Sequence, residues 1–557
     1  MATTRPKAEP GISTISIWAV ALGLVLCGPA TFAQSAAASP PTEKIVSISV
    51  CSPSGTSESV SCPKGTFDTL RVVVGPSGLP LNQVGVGGVT DEHASVFPPD
   101  SLQGNSDYLF FVAAGTDVYP HVIGVVALSG GSGPDTNGQW TLNFAPGYGS
   151  YPEGYGQVFE APIVQNYCPT VDDAAHQDQT FDLTYAAAGS VVPDPTSSPG
   201  SLLMIYEGCN CCIGSTGGHR LAGDGAYMAT GVATSLDSGR TWPTYRGTST
   251  FEFVRLPHSN PTQGPDAPFG ALGQSVCMGN DCTTPPPAGY GRYAVLTPPV
   301  SLAWLMESGH PLSDQAHDAE PSAFVDDVGP GLNPYVYNVH NYSPGDAAGL
   351  SDQFPDGRNH DLTVARAKLN GGAAPLQFLK WDGQSFSQPG IGGHEVQILP
   401  DGAFESCEDL TQQRSAGSIS YFKDTRQYLL TFVCNSPGDP ASGAPGGPRG
   451  SAWFYATTDD LSHQQWSTPH EIVGSWMVWE TGTLAGPYGC VSYMGWYPTF
   501  MSLNHEPGHL GLRGHVFSLY GCLGGGIDPP LRQYVSHAFV ITTGPIHAIR
   551  RRLGRAR

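Results

Sequence analysis

One pattern of apolar and polar positions repeats about five times along the chain: a short strand, a turn, an apolar β-rich strand ending in a small residue, another strand, then a turn and an aromatic-bearing strand. The second strand of each unit is the clearest, at Tyr108 to Gly115, Leu202 to Gly208, Pro334 to Asn341, Tyr428 to Cys434 and His515 to Gly521. Val, Tyr, Phe and Leu run through these segments nearly uninterrupted, which suits strands packed on both faces. Third strands are expected at Val122 to Leu128, Met228 to Ser235, Asp361 to Leu369, Ser451 to Thr458 and Gln533 to Ile541. First strands are expected at Ala94 to Phe97, Gly189 to Pro193, Pro321 to Asp326, Gly417 to Phe422 and Tyr497 to Leu503.

A sheet apolar on both faces cannot stand alone in water, whereas sheets packed radially around an axis bury both faces and leave few edges. The pattern therefore predicts an all-β fold, a β-propeller of about five four-stranded blades with long loop insertions. Six blades stay open, because Arg292 to Leu296 and Ser301 to Met306 form either an extra unit or an insertion. Residues 34–90 read as a leader whose strand, Lys44 to Val50, closes the ring or forms a small cap, and 91–545 as the propeller. The Pro/Gly/Ser-rich stretch 436–450 reads as a loop within the fourth unit, since a strand resumes at Ala452. Separate β-sandwich domains are the rival architecture.

Composition agrees with many turns and little helix: 71 Gly, 50 Pro and only 13% charged residues in 557. Arg5 and Lys7, an apolar run from Ile15 to Cys27 and the small-residue site Thr31-Phe32-Ala33 read as an export signal over residues 1–33. The expected location is secreted or periplasmic, with an uncleaved anchor or a lipidated Cys27 as alternatives. Without Cys27, twelve of the 13 cysteines remain, an even number that favours disulfides in an exported chain. Plausible local pairs are Cys51/Cys62, Cys277/Cys282, Cys407/Cys434 and Cys490/Cys522, and connectivity stays undetermined. The formal charge of −22 argues against nucleic acid as partner. The basic end, 546–557, reads as a solvated tail.

Ser235-Leu236-Asp237-Ser238-Gly239-Arg240-Thr241-Trp242 spells S-x-D-x-G-x-T-W. The Asp can accept turn N–H groups, Gly239 permits positive φ, and Trp242 can pack beneath the turn. The octapeptide resembles the Asp-box, or BNR repeat, of secreted sialidase-like β-propellers, where it staples the fold and performs no chemistry. Thr457-Thr458-Asp459-Asp460-Leu461 with Trp466 looks like a degenerate copy.

In a propeller, polar residues at the starts of the innermost strands converge although distant in sequence. Those positions hold Asp91, Glu92 and His93, then Asp318 and Glu320, then Arg414, then Trp496 and Tyr497; the second unit offers Asp194 and Glu207. Acids, His, Arg and aromatics at one mouth suit carbohydrate: rings stack on sugar C–H groups while two carboxyl groups do acid and base or nucleophile work. Phe159-Glu160-Ala161-Pro162 resembles the E-A-P segment carrying the general acid in five-bladed arabinanase- and xylosidase-like glycosidases. That resemblance implies Glu160 as acid, Asp91 or Glu92 as base or nucleophile, and Glu320 or Asp194 as modulator of the acid's pKa. His93, Glu207, Asp318, Arg414, Trp496 and Tyr497 are the expected glycan-binding residues.

A sialidase also requires an Arg-Ile-Pro and three arginines on the substrate carboxylate, and the nearest candidate here is Arg255-Leu256-Pro257. Asn504-His505-Glu506-Pro507-Gly508-His509 has the look of a zinc helix, but Pro507 and Gly508 break it. No metal or cofactor is expected, with a structural calcium ion in the channel left open although no calcium-loop pattern is present. The expected function is a secreted, carbohydrate-active propeller, a glycoside hydrolase acting at the channel mouth. The alternative is a non-catalytic propeller that binds glycan or protein there. No stable membrane insertion after signal cleavage is expected.

Overall fold

The computed structural model describes residues 44–50, 73–74, 79–80, 92–102, 104–116, 119–133, 140–148, 157–160, 185–210, 227–242, 292–297, 316–327, 334–343, 361–399, 414–434, 452–473, 475, 492–503, 505–523 and 532–544. They form a five-bladed β-propeller, with no helix among them. Three strands precede the first blade: β1 (Ile45–Val50), β2 (Val73–Val74) and β3 (Leu79–Pro80). Blade 1 holds β4 (Ser95–Phe97), β5 (Leu109–Thr116), β6 (Tyr119–Ser129), β7 (Thr141–Phe144) and β8 (Gln157–Glu160). Blade 2 holds β9 (Tyr185–Pro193), β10 (Leu202–Asn210), β11 (Tyr227–Ser235) and β12 (Arg292–Leu296). Blade 3 holds β13 (Ala316–Asp326), β14 (Tyr335–Ser343), β15 (Asp361–Lys368), β16 (Phe378–Trp381) and β17 (Phe386–Pro389). Blade 4 holds β18 (Arg414–Phe422), β19 (Gln427–Cys434), β20 (Ala452–Thr458) and β21 (His470–Glu471). Blade 5 holds β22 (Ser492–Met501), the short β23 (His509–Leu510), β24 (Arg513–Leu523) and β25 (Arg532–Thr543).

The neighbouring long strands within each blade pair antiparallel, with β8 laid beside β6 and β22 beside β24. Two short parallel ladders stitch neighbouring blades, β11 to β13 and β18 to β23. β1 pairs antiparallel with β25, so the start of the described chain supplies the outer strand of the last blade. β12 is likewise an outer strand, pairing with β11 of blade 2, and founds no sixth blade.

The uninterrupted apolar runs follow from this radial packing. In β19 every residue is buried: Leu429 and Val433 pack toward blade 5, while Leu430 and Phe432 pack in the cluster shared with blade 3. Alternate residues point to opposite faces of a strand, and here both faces meet a neighbouring sheet. β5 does the same, with Phe110 and Val112 against blade 5 and Leu109 and Phe111 against blade 2. Each such fully buried side chain contributes roughly 1.5–3 kcal/mol. The ring closes on an aromatic contact between blades 1 and 5, Phe110 on Phe517 at 5.4 Å between centroids.

The octapeptide after β11 forms a self-contained turn. Asp237 Oδ1 accepts from the Thr241 N–H at 2.9 Å, its Oδ2 from the Thr241 hydroxyl at 2.7 Å, and Ser235 Oγ accepts from the Gly239 N–H at 2.9 Å. Gly239 has φ +82°, and a Cβ there would lie 2.5 Å from the Phe111 ring. Trp242 is buried under the turn, donates to Gly239 O and stacks edge-on against Phe111 of blade 1. The turn after β20 is built on the same plan: Thr458 Oγ1 accepts from Asp460 N, and Asp460 accepts from Ser462 N. Cys434, closing β19, is disulfide-bonded.

Candidate functional site: the rim of the central channel

The innermost strands β4, β9, β13, β18 and β22 line the channel, and each except the short β4 carries a bulge at the same level. At that level stands a residue followed by Pro, Gly or Ala and then a hydroxyl: His93-Ala94-Ser95 leading into β4, and Ala188-Gly189-Ser190, Glu320-Pro321-Ser322, Ala416-Gly417-Ser418 and Tyr497-Pro498-Thr499 at the bulges. This repeat was the sequence signal for the site, and the longer strands of each unit mask it. Glu320, Ala416 and Tyr497 have φ of +53°, +52° and +57°. A left-handed conformation costs a non-glycine residue roughly 1–2 kcal/mol, and three at one level mark a place where the surrounding structure overrides local preference.

The hydroxyls tie adjacent blades into a belt. Ser95 Oγ accepts from Val191 N at 2.7 Å, Ser190 Oγ from Ala323 N at 3.0 Å, and Ser418 Oγ donates to Pro498 O at 2.9 Å. Thr499 Oγ1 lies 3.1 Å from His93 Nδ1, which joins the last blade to the first. Between the belt and the far end of the channel lies a cavity of about 470 Å³, lined by Val191, Phe324, Ile419, Phe500 and His509 among others.

On the other side of the belt is the rim. Glu320 is its centre: Oε2 accepts from Asn341 Nδ2 at 2.5 Å and from Ala416 N at 3.2 Å, and Oε1 from the Tyr497 hydroxyl at 3.2 Å. Its own N–H donates to Glu207 Oε2 at 2.8 Å. Tyr497 packs edge-on against His93, with centroids 5.2 Å apart, and Trp496 edge-on against Tyr497 at 6.3 Å. Burial lowers the His93 ring to a pKa of about 3, so it is neutral at neutral pH. Glu92, the preceding residue, is fully buried. Side chains from blades 1, 2, 3 and 5, and a backbone N–H of blade 4, thus meet in one connected set.

Behind the rim, between blades 2 and 3, lies a second set, of which sequence reading named Asp318 but not Lys380, His340 or Glu395. Lys380 Nζ sits 2.7 Å from Asp318 Oδ2 and 2.5 Å from Glu395 Oε1, and His340 Nε2 sits 2.8 Å from Glu395 Oε2, all with fully buried side chains. Strand register lines Lys380 up with Ala365, Asn338 and Ala323 across β16 to β13, and His340 with Thr363, while Asp318 stands opposite Tyr342 and Glu395 follows β17, so the long Lys380 side chain spans the distance between them. Burial, then the neighbouring Glu395, pushes the Asp318 carboxyl up to about 7 despite Lys380. Burial opposes charge on the other three, but Asp318 and Glu395 outweigh it to raise Lys380, Glu395 outweighs it to raise His340, and His340 with Lys380 holds Glu395 well below the carboxylate range. The one sequence signal is a lysine inside the apolar strand Phe378-Leu379-Lys380-Trp381.

Of the residues expected from sequence, His93, Glu207, Glu320, Trp496 and Tyr497 gather at the rim, and Asp318 lies just behind it. Asp91 lies outside the described residues. Glu160 ends β8, opposite Gly124 of β6 on the outer side of blade 1, and Arg414 pairs with Cys434; neither side chain is among those described. Asp194 is elsewhere: it caps the turn from β9 to β10, accepting from Thr196 N and the hydroxyls of Thr196 and Ser197, past the belt from Glu320. Residues 505–508 form a bend and turn that leads into β23 at His509, with Gly508 at φ +77°. His515 is buried against Trp140 in blade 5, away from that turn. Arg255-Leu256-Pro257 lies outside the described residues.

No family model and no curated protein matches the chain. Solved structures similar to it include an N-acetylgalactosamine deacetylase from F. plautii in complex with blood group B trisaccharide, at 12% identity over 90% of this chain and 95% of that one, TM-score 0.38. A GH62 hydrolase in complex with xylotriose is 11% identical over 85% and 97%, TM-score 0.38, and Bacillus subtilis levansucrase 9% over 82% and 88%, TM-score 0.36. The five-bladed architecture itself stands on the strand pairing above.

Proposed function

We propose that this chain is an exported carbohydrate-active propeller, a glycoside hydrolase whose substrate sits on the rim formed by Glu92, His93, Glu207, Glu320 and Tyr497. The observation that carries the reading is the convergence of carboxyl groups from two blades with a histidine and two aromatic rings at one end of the channel. Hydrolysis of a glycosidic bond needs two carboxyl groups across the scissile bond, about 5–10 Å apart, one to protonate the leaving oxygen and one to attack or to activate water. Glu320, accepting three hydrogen bonds, acts as an acceptor: it fixes negative charge at the rim and modulates the acid beside it. Asp91 or Glu92 supplies the base or nucleophile, and Glu207, at the rim, the acid in place of Glu160. The chemistry calls for no cofactor. Export through residues 1–33 and the S-x-D-x-G-x-T-W turn agree with an extracellular sugar-acting protein.

A second reading, a propeller that binds glycan without cleaving it, is favoured by the burial of Glu92 and Glu207, at 0% and 6% exposure. Incubating the mature chain with aryl glycosides and plant or bacterial polysaccharides separates the two. Turnover that falls at least ~100-fold in Glu320→Gln, with glycan retention kept, is the outcome expected of the hydrolase. Retention without turnover establishes the binder. Neither turnover nor retention across the panel removes both readings.

A further inference from the structure

The surroundings of Lys380 are those of a bound cation. Four oxygens lie around Nζ: Asp318 Oδ2 at 2.7 Å, Glu395 Oε1 at 2.5 Å, Thr297 O at 2.8 Å and Gly393 O at 3.2 Å. An ammonium group has only three N–H bonds to give, so one more oxygen converges on it than it can serve. Asp318 Oδ1 is buried with no hydrogen-bond partner among the described residues, and Oδ1 belongs to the same carboxylate. Asp318, His340 and Glu395 also present their ligating atoms within 4.8 Å of one another. With Asp318 Oδ1 the oxygens around Nζ become five, from two carboxylates and two backbone carbonyls, a donor set that water would complete for a hard divalent ion, which takes 6–8 oxygens at about 2.3–2.6 Å.

We propose that the junction of blades 2 and 3 is a calcium-type cation site whose ion is replaced by the chain's own Lys380 ammonium, and that shortening this side chain turns the cage into a Ca²⁺ site. The donors come from three parts of the chain: Thr297 after β12, Asp318 on β13, and Gly393 with Glu395 after β17. Whatever cation occupies the cage therefore clamps the two blades. It also holds Asp318, two residues before the bulge that aims Glu320. Truncating Lys380 to Ala leaves buried Asp318 without its cation and Glu395 with His340 alone, a loss that solvent cannot make good. A Ca²⁺ ion entering the space would restore the neutralising charge after the oxygens close by a few tenths of an ångström.

The test is cation-dependent stability of the full mature chain, independent of any glycan activity. Wild type should melt at the same temperature in ~1 mM Ca²⁺ and in excess EGTA, because no site is open to linkage. Lys380→Ala should melt lower in EGTA and rise saturably with Ca²⁺, and Asp318→Asn added to it should abolish the rise. Where Lys380→Ala is recovered only as unfolded material, refolding it in parallel with Ca²⁺ and with EGTA gives the readout, and recovery with Ca²⁺ alone supports the site. The proposal is overturned by a folded Lys380→Ala protein indifferent to Ca²⁺, by failure to refold in either buffer, or by a wild-type melting temperature that EGTA lowers.

Discussion

Asp237 illustrates what a single side chain can secure when its partners are close in sequence. Its carboxylate gathers Thr241 through backbone and hydroxyl and also accepts from Ser235, while Tyr148 of blade 1 donates to Ser238 O of the same turn. The bonds made by the Asp237 and Ser235 side chains all lie within eight residues, so they were legible in the sequence, whereas those from Tyr148 and to Gly200 O were not. Asp237→Ala should cost about 1–3 kcal/mol in urea unfolding, the loss of a charged acceptor that leaves Thr241 N–H unpaired, with glycan retention unchanged. Lys380 is the opposite case. Its partners Asp318, Thr297, Gly393 and Glu395 come from separate segments, and no local spacing announces them.

At the scale of the strand, the expected second and third strands agree with the observed ones to within about three residues, because a run buried on both faces is unmistakable. The first strands differ. They were expected to begin at Gly189, Pro321, Gly417 and Tyr497, yet β9, β13, β18 and β22 start earlier, at Tyr185, Ala316, Arg414 and Ser492. Pro and Gly read as strand starts, but a bulge accommodates them too, since one residue there is left out of the ladder. The rim residues thus stand inside the strands. A Cβ on Gly189 would lie 1.9 Å from Pro321 O, across the contact between blades 2 and 3. Gly189→Ala should therefore destabilise by roughly 3 kcal/mol; Gly544→Ala, whose Cβ would meet nothing nearer than 3.6 Å, should melt like wild type.

The whole molecule answers to pH through the groups its packing buries. Burial lowers His93 to about 3 and His515 and His537 to about 4, below the ordinary value of 6.5. A histidine with a lowered folded pKa contributes stability above 6.5 that is lost as pH falls toward the folded value. Asp318, raised to about 7, runs the other way, losing stability as pH rises from about 4 to 7. Three large histidine shifts outweigh one carboxyl, so the melting temperature should fall steadily from pH 6.5 to 4. His515→Phe should flatten that slope by removing a contribution of about 3 kcal/mol. A wild-type protein that grows more stable over the same range would contradict the assignment of these rings as neutral.

The sequence by itself determined the sheets, their repetition about five times and the turn at Asp237, because each rests on an apolar run buried on both faces or on contacts within one turn, while the exclusion of a sixth blade waited on the pairing of β12 with β11. It also pointed to His93, Glu207, Glu320 and Tyr497, since residues at corresponding places in a repeat share one end of the hub. Only the tertiary structure decided that Glu320 accepts from Asn341, Ala416 and Tyr497. It alone set Asp194 past the belt and enclosed Lys380 between two acids. Those outcomes depend on the register between strands and on how closely one blade approaches the next, and a pattern read along a single strand carries neither distance.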